Sequence, residues 1–158
     1  MNRAWRWACV FLFVVALVAC SSGPVRRVSP PAASLQQLTV NADGSWSVDL
    51  RLQNYSSIPM RFDATDLAIA VGGQAAGRLK GTPGISVGPE SADVVSLPFV
   101  PSAEARMAIA GALAGRRPLP YTLTGTVQAV PDKGKSRSFD IEARNTLNPV
   151  PGLDGVLR

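Results

Sequence analysis

The chain has 158 residues, with 16 Lys and Arg against 11 Asp and Glu and no His, giving a formal charge of +5. Without His, and with both Cys among the first 20 residues, it excludes a Ser-His-Asp or Cys-His centre, an ordinary zinc site and a disulfide-framed body. This length suits one domain with a core of its own.

Residues 1–6, with Arg3 and Arg6, form a short basic start, and Trp7–Ala19 follows as 13 residues without a charge. A membrane-crossing helix needs about 20 apolar residues, so this run suits the apolar part of a signal peptide better. It ends in Leu17-Val18-Ala19-Cys20 and continues as Ser21-Ser22-Gly23. This resembles the lipobox of bacterial lipoproteins: small Ala19 admits a peptidase, and the Cys20 thiol is the nucleophile that takes a diacylglycerol. The alternative is an unlipidated signal peptide cleaved near Ala19. Cys9, inside the apolar run, has the character of a small hydrophobe. The resemblance implies cleavage between Ala19 and Cys20, lipidation of Cys20 and a membrane-bound mature chain. Ser21, where Asp would signal inner-membrane retention, implies the periplasmic face of the outer membrane.

From Cys20 onward 139 residues remain, with 14 basic and 11 acidic side chains, a balance of +3. That is too small and too dispersed for a dedicated nucleic-acid binder. Residues 20–33 are rich in Pro and Ser, with Pro30-Pro31 favouring extended backbone, and constitute a lipid-anchored tether. Arg26 and Arg27 face either anionic headgroups or solvent.

Residues 34–145 carry the patterning of a β domain. Leu35–Val40 and Trp46–Gln53 form a hairpin around the turn chemistry of Asn41-Ala42-Asp43-Gly44. In the second run Trp46, Val48, Leu50 and Leu52 alternate with Ser47, Asp49, Arg51 and Gln53. Leu67–Val71 alternates again and is closed by Gly72-Gly73, with Gln74–Lys80 as its return. Val94–Phe99 is an edge or terminal strand because of Pro98. Ser102–Gly115 is a helix of about three turns (102–114 in its helical part), with Ser102 as cap and Ala103, Met107, Ala110 and Leu113 along one inner face and Ile109 beside it. Tyr121–Ala129 and Phe139–Arg144 form a last hairpin through Pro131-Asp132-Lys133-Gly134, and Gly125 marks a bulge or a close approach. Six to seven strands at this spacing indicate a β-sandwich. Residues 146–158 are an extended tail that packs along the sandwich, covers an edge strand, binds a partner or stays disordered.

Several motifs then fall in a familiar order. Asn54 follows the first long strand; Gly72-Gly73 closes the next; Gly88-Pro89-Glu90 precedes Leu97-Pro98; and Pro120-Tyr121-Thr122-Leu123-Thr124-Gly125 follows the helix. This order is similar to the LEA14-like (late embryogenesis abundant group 2), or water-stress and hypersensitive-response (WHy), domain. Tyr55 stands where that family usually has Pro, and Pro59 is the nearest substitute for its rigidity. The resemblance implies a mainly β fold: an antiparallel, seven-stranded sandwich of fibronectin-III or immunoglobulin-like type with one short helix. It implies no catalytic residue and no cofactor, and points to desiccation, stress and defence responses.

Two pairs of carboxylates have the composition for acid–base or cation chemistry. Asp140 and Glu142 share the solvent face of one strand, and Asp63 and Asp66 lie in a crossing between strands. Arg116, Arg117, Lys133, Lys135 and Arg137, with Arg26 and Arg27, constitute either one basic end facing anionic lipid or ordinary loop charges. The expected function is therefore a non-catalytic envelope lipoprotein protecting or binding at the membrane surface. An envelope-assembly component and a lipid or small-ligand carrier are the alternatives.

Overall fold

Two antiparallel sheets and one helix make up the fold in the computed structural model, which describes residues 26–158. The strands are β1 (Ala32–Val40), β2 (Trp46–Gln53), β3 (Met60–Val71), β4 (Gln74–Gly81), β5 (Ile85–Val87), β6 (Ala92–Phe99), β7 (Leu119–Pro131), β8 (Arg137–Leu147) and β9 (Val156–Leu157). Helix α1 (Ala103–Ala114) lies between β6 and β7. One sheet runs β6-β2-β1-β9; the other runs β4-β3-β7-β8, with β5 also paired to β3. Nine strands thus stand among the described residues where seven were expected; the additional two, β5 and β9, have only three and two residues.

Strand β2 owes its place to unbroken alternation. Trp46, Val48, Leu50 and Leu52 are all buried, each contributing roughly 1.5–3 kcal/mol of burial free energy. A one-residue slip would turn all four to solvent, which fixes the register with β1 and β6. In β3 the alternation changes phase. Met60 and Phe62 are buried, then Thr65, Leu67, Ile69 and Val71, because the pairing with β7 shifts between Phe62 and Ala64. Asp63 and Asp66, expected in a crossing, are therefore part of one 12-residue strand. The same device appears in β1, where the register shifts between Leu35 and Gln37 and the buried positions pass from Ala33 and Leu35 to Leu38.

Gly125 is a close approach rather than a bulge. It keeps regular pairing with Leu67 on one side and Ile141 on the other. Its φ is +150°, and a Cβ there would collide with the Asp66 carbonyl and lie 3.0 Å from Leu67 Cα.

The helix lies where the sequence puts it but is rotated from the expected inner face. Ser102 Oγ accepts from Ala105 N at 3.2 Å and donates to Ala75 O at 2.8 Å, fixing the first turn to β4. Ala105, Ile109 and Ala112 face inward, and Met107, expected as core filler, is 69% exposed. Small Ala side chains on the inward stripe let the helix sit close to the sheet.

Both sheets and the helix contribute to one buried cluster, with Trp46 against Phe99 at a ring-centroid distance of 5.6 Å. Tyr121 ties one sheet to the other: its hydroxyl accepts from Leu35 N at 3.1 Å and donates to Leu35 O at 3.4 Å, at the β1 irregularity. The C-terminal tail is ordered and covers an edge. It turns back after β8, bonds Asn148 to Arg158 in both directions, and lays β9 along Leu38 and Thr39 of β1.

Candidate functional site

The densest set of side-chain hydrogen bonds lies at the end of the sandwich where β2 leaves and β3 enters. Asn54 is fully buried there. Its amide nitrogen donates to Ile58 O at 2.9 Å, Gly88 O at 2.9 Å and Val87 O at 3.2 Å, while its Oδ1 accepts from Ser56 N at 2.8 Å. An amide side chain suits this position because only Asn or Gln presents donors and an acceptor together without charge. One residue thereby joins the 54–59 loop to the end of β5.

Ser56, also buried, extends the knot to the N-terminal side. Its hydroxyl accepts from Ser29 N at 2.9 Å and donates to Ser29 O at 3.2 Å. Ser57 Oγ accepts from Arg27 N at 2.8 Å, and Ser57 N donates to Arg27 O at 3.0 Å. Val28 packs against the core and Pro31 is buried. Residues 26–31, expected in a free spacer, thus run as a strap across this end. Arg26 reaches the opposite hairpin, donating to Asp132 O at 2.7 Å and pairing with Asp132 Oδ2 at 3.4 Å. Arg27 pairs with Glu90 at 3.3 Å and donates to Tyr55 O at 3.3 Å. Both pairs are exposed, so their worth is about 0–1 kcal/mol each; the strap is held chiefly by its backbone bonds and the buried serine.

The seven arginines and lysines, read from the sequence as either one basic end or ordinary loop charges, occupy two ends. Strand β7 runs between them, 13 residues or roughly 40 Å, from the helix end with Arg116 and Arg117 to the hairpin with Lys133, Lys135 and Arg137. Arg26 and Arg27 belong to the hairpin end. Among the described residues Lys133, Lys135 and Arg137 are exposed and have no carboxylate partner. Beside them lies a shallow depression of about 250 Å³, lined by Pro59, Arg61, Ser86, Val130 and Lys133 among others. Tyr55 projects from the same end, 51% exposed.

Of the four candidate carboxylates, Asp63, Asp66 and Glu142 form ordinary surface ion pairs, and Asp140 is exposed. Asp63 meets Arg61 at 2.7 Å, Asp66 meets Arg78 at 2.7 Å and Lys80 at 3.9 Å, and Glu142 meets Arg144 at 3.3 Å. The Arg78 hydrogen bond holds the Asp66 carboxyl below the usual range, and the Ser45 hydroxyl and amide do the same for Asp43. Burial pushes the Tyr121 phenol up, partly offset by its bond to Leu35. Among the described residues no group of three or more His, Cys, Asp and Glu is placed to hold a metal ion. Ala19 and Cys20, the cleavage and lipidation residues, lie outside the described residues.

The sequence shows only half of the knot. Asn54 stood out as a turn motif, but its partners are backbone carbonyls, which carry no sequence signal. Ser29 and Ser56 look like any linker or loop serines.

Residues 49–145 match a family model described as late embryogenesis abundant protein, a span that takes in most of β2 through most of β8. Among curated proteins none matches the chain. Solved structures of similar shape include a Bordetella pertussis protein described as ApaA (15% identity, 82% of this chain and all of that one, TM-score 0.48). The solution structure of AT1g01470 from Arabidopsis thaliana is another (12%, 86% and 91%, TM-score 0.46). A third is a protein from Archaeoglobus fulgidus (13%, 76% and 97%, TM-score 0.41).

Proposed function

The chain belongs to the late embryogenesis abundant family, and from that premise we propose that it is a non-catalytic, lipid-anchored protein of the bacterial cell envelope that protects other components during water stress. The family match over residues 49–145 carries this reading. In it, the domain is of the WHy type, a sandwich of the fibronectin-III or immunoglobulin-like kind in which the seven long strands form the frame. Residues 1–19 are the signal peptide, Cys20 carries the lipid, and Ser21 directs the protein to the inner face of the outer membrane. Two acyl chains of about 15 CH₂ each, at roughly 0.8 kcal/mol per CH₂, hold it there for its lifetime. No cofactor and no nucleic acid take part.

The action is that of a tethered polar surface rather than of bond chemistry. A test enzyme dried with the chain from Cys20 onward keeps several-fold more activity than with an equal mass of an unrelated β protein. Equal losses in both, beside a working protectant, refute the protective role.

A docking role has one observation in its favour: among the described residues no strand pairs with β6 on its outer side. The tail, in contrast, is engaged by β1. An envelope partner would add a strand at Ala92–Phe99, and crosslinks from that edge would converge on one protein. The carrier reading ranks last because the space between the sheets is filled by the chain's own side chains.

A further inference from the structure

We propose that the end of the domain bearing Tyr55, Lys133, Lys135 and Arg137 is a contact surface for anionic phospholipid headgroups, and that the strap at residues 26–31 holds this end against the bilayer. The inference rests on the proposed anchor at Cys20 and adds an orientation to it.

The strap shortens the tether. Arg27 and Ser29 are bonded to Ser57 and Ser56, and Arg26 to the Asp132 hairpin, so free chain can begin only before Arg26. Six residue steps from Cys20 to Arg26 span at most about 20 Å when fully extended. The opposite end, with Arg116 and Arg117, lies a further β7 length away, roughly 40 Å. A tether of that reach cannot bring the helix end to the membrane while the sandwich stands on its strap.

The surface presented instead has the right chemistry. Arg26 and Arg27 are occupied by Asp132 and Glu90. Lys133, Lys135 and Arg137 are exposed and unpaired among the described residues. Such cations attract an anionic leaflet. Tyr55, half exposed at the same end, supplies the ring and hydroxyl that suit the headgroup layer.

The chain from Cys20 onward is the form to test, since the buried cluster of the described residues lies within residues 28–157 and Cys20 is its single thiol. Coupling that thiol to a maleimide phospholipid imposes the anchor chemically, whatever happens in the cell. Tyr55→Trp and Met107→Trp variants are then compared on vesicles holding a headgroup-spin-labelled lipid, with and without phosphatidylglycerol.

On phosphatidylglycerol vesicles the indole at position 55 is quenched several-fold more than that at 107. The difference shrinks, without vanishing, in phosphatidylcholine, at high salt, and on substituting Lys133, Lys135 and Arg137 by Gln, because the tether alone still keeps position 107 away from the bilayer. It survives Arg116→Gln with Arg117→Gln. Untethered binding to the same vesicles falls about fivefold for each hairpin cation removed. Equal quenching at both positions, or a difference indifferent to lipid charge and salt, overturns the proposal. Absence of lipid on Cys20 in the native protein would instead overturn the anchor, a result read separately from the protein's mass.

Discussion

Replacing Asn54 by Ala removes the centre of the knot. Four groups lose a partner: the Ser56 amide and the carbonyls of Ile58, Val87 and Gly88. They are not equal. Gly88 O keeps a bond from Ser91 Oγ at 2.9 Å, so its loss is small. The Ser56 N–H is a lone donor beside a buried side chain, and an unsatisfied buried group costs about 1–3 kcal/mol. The Ile58 carbonyl adds a similar amount, so the whole change costs on the order of 3 kcal/mol. With a urea m-value of about 1.5–2 kcal/mol/M, the unfolding midpoint falls by about 1.5–2 M with little change in slope. Asn54→Asp adds a pH signature. A carboxylate facing three carbonyls is disfavoured, so its folded pKa lies above the unfolded value of about 3.9. The variant's stability is fullest below that value and is lost as pH rises through the folded pKa. Urea unfolding of both variants between about pH 3.5 and 7 provides the assay. A loss below ~1 kcal/mol for the Ala variant, or an Asp variant that tracks the parent across this range, refutes the reasoning.

Other outcomes follow from the same geometry. Gly125→Ala forces a Cβ into the Asp66 carbonyl at a left-handed φ, so it costs at least 3 kcal/mol and yields little folded protein, measurable by thermal melting. Tyr121→Phe strands the buried Leu35 amide and costs about 1–2 kcal/mol. With its folded pKa raised above 10, Tyr121 gives stability that is complete below that pH and declines as pH rises further; the phenolate absorbance of the native protein should show a late-titrating tyrosine, absent in the Phe variant. Asp66 has the opposite sign. Its folded pKa is lowered by Arg78, so its contribution is present above the unfolded value and is lost in acid as pH falls through the folded one; Asp66→Asn flattens that part of the acid profile. Met107→Lys shifts the melting midpoint negligibly, since the side chain lies on the outer face of α1.

Much of the fold was legible wherever alternation kept one phase. Strand β2 and residues 139–144 of β8 follow directly from it, and so does the hairpin joining β7 to β8. Where the pairing shifts, at Gln36 in β1 and Asp63 in β3, the buried positions change parity, and a period-two pattern sees a strand start late or end early. That is why residues 60–66 looked like a crossing. The helix was visible, but Ala occurs all round it, so the sequence did not define its inward stripe; contacts through Ser102 and Ala105 did. The strap leaves no mark in the sequence for a different reason. Its Pro and Ser content is also that of a free linker, and its partners Ser56 and Ser57 lie about 30 residues away. The split of the basic charges depends on topology: only the length and direction of β7 place Arg117 and Lys133 at opposite ends.

A lipid on Cys20, as proposed, would turn the strapped β domain into a membrane-bound one. The intact mass of the protein extracted from bacterial membranes tests this directly. The account predicts a chain beginning at Cys20 that carries a diacylglyceryl group and a third acyl chain. A mass for an unmodified chain, whether begun at Met1 or near Ala19, would contradict it.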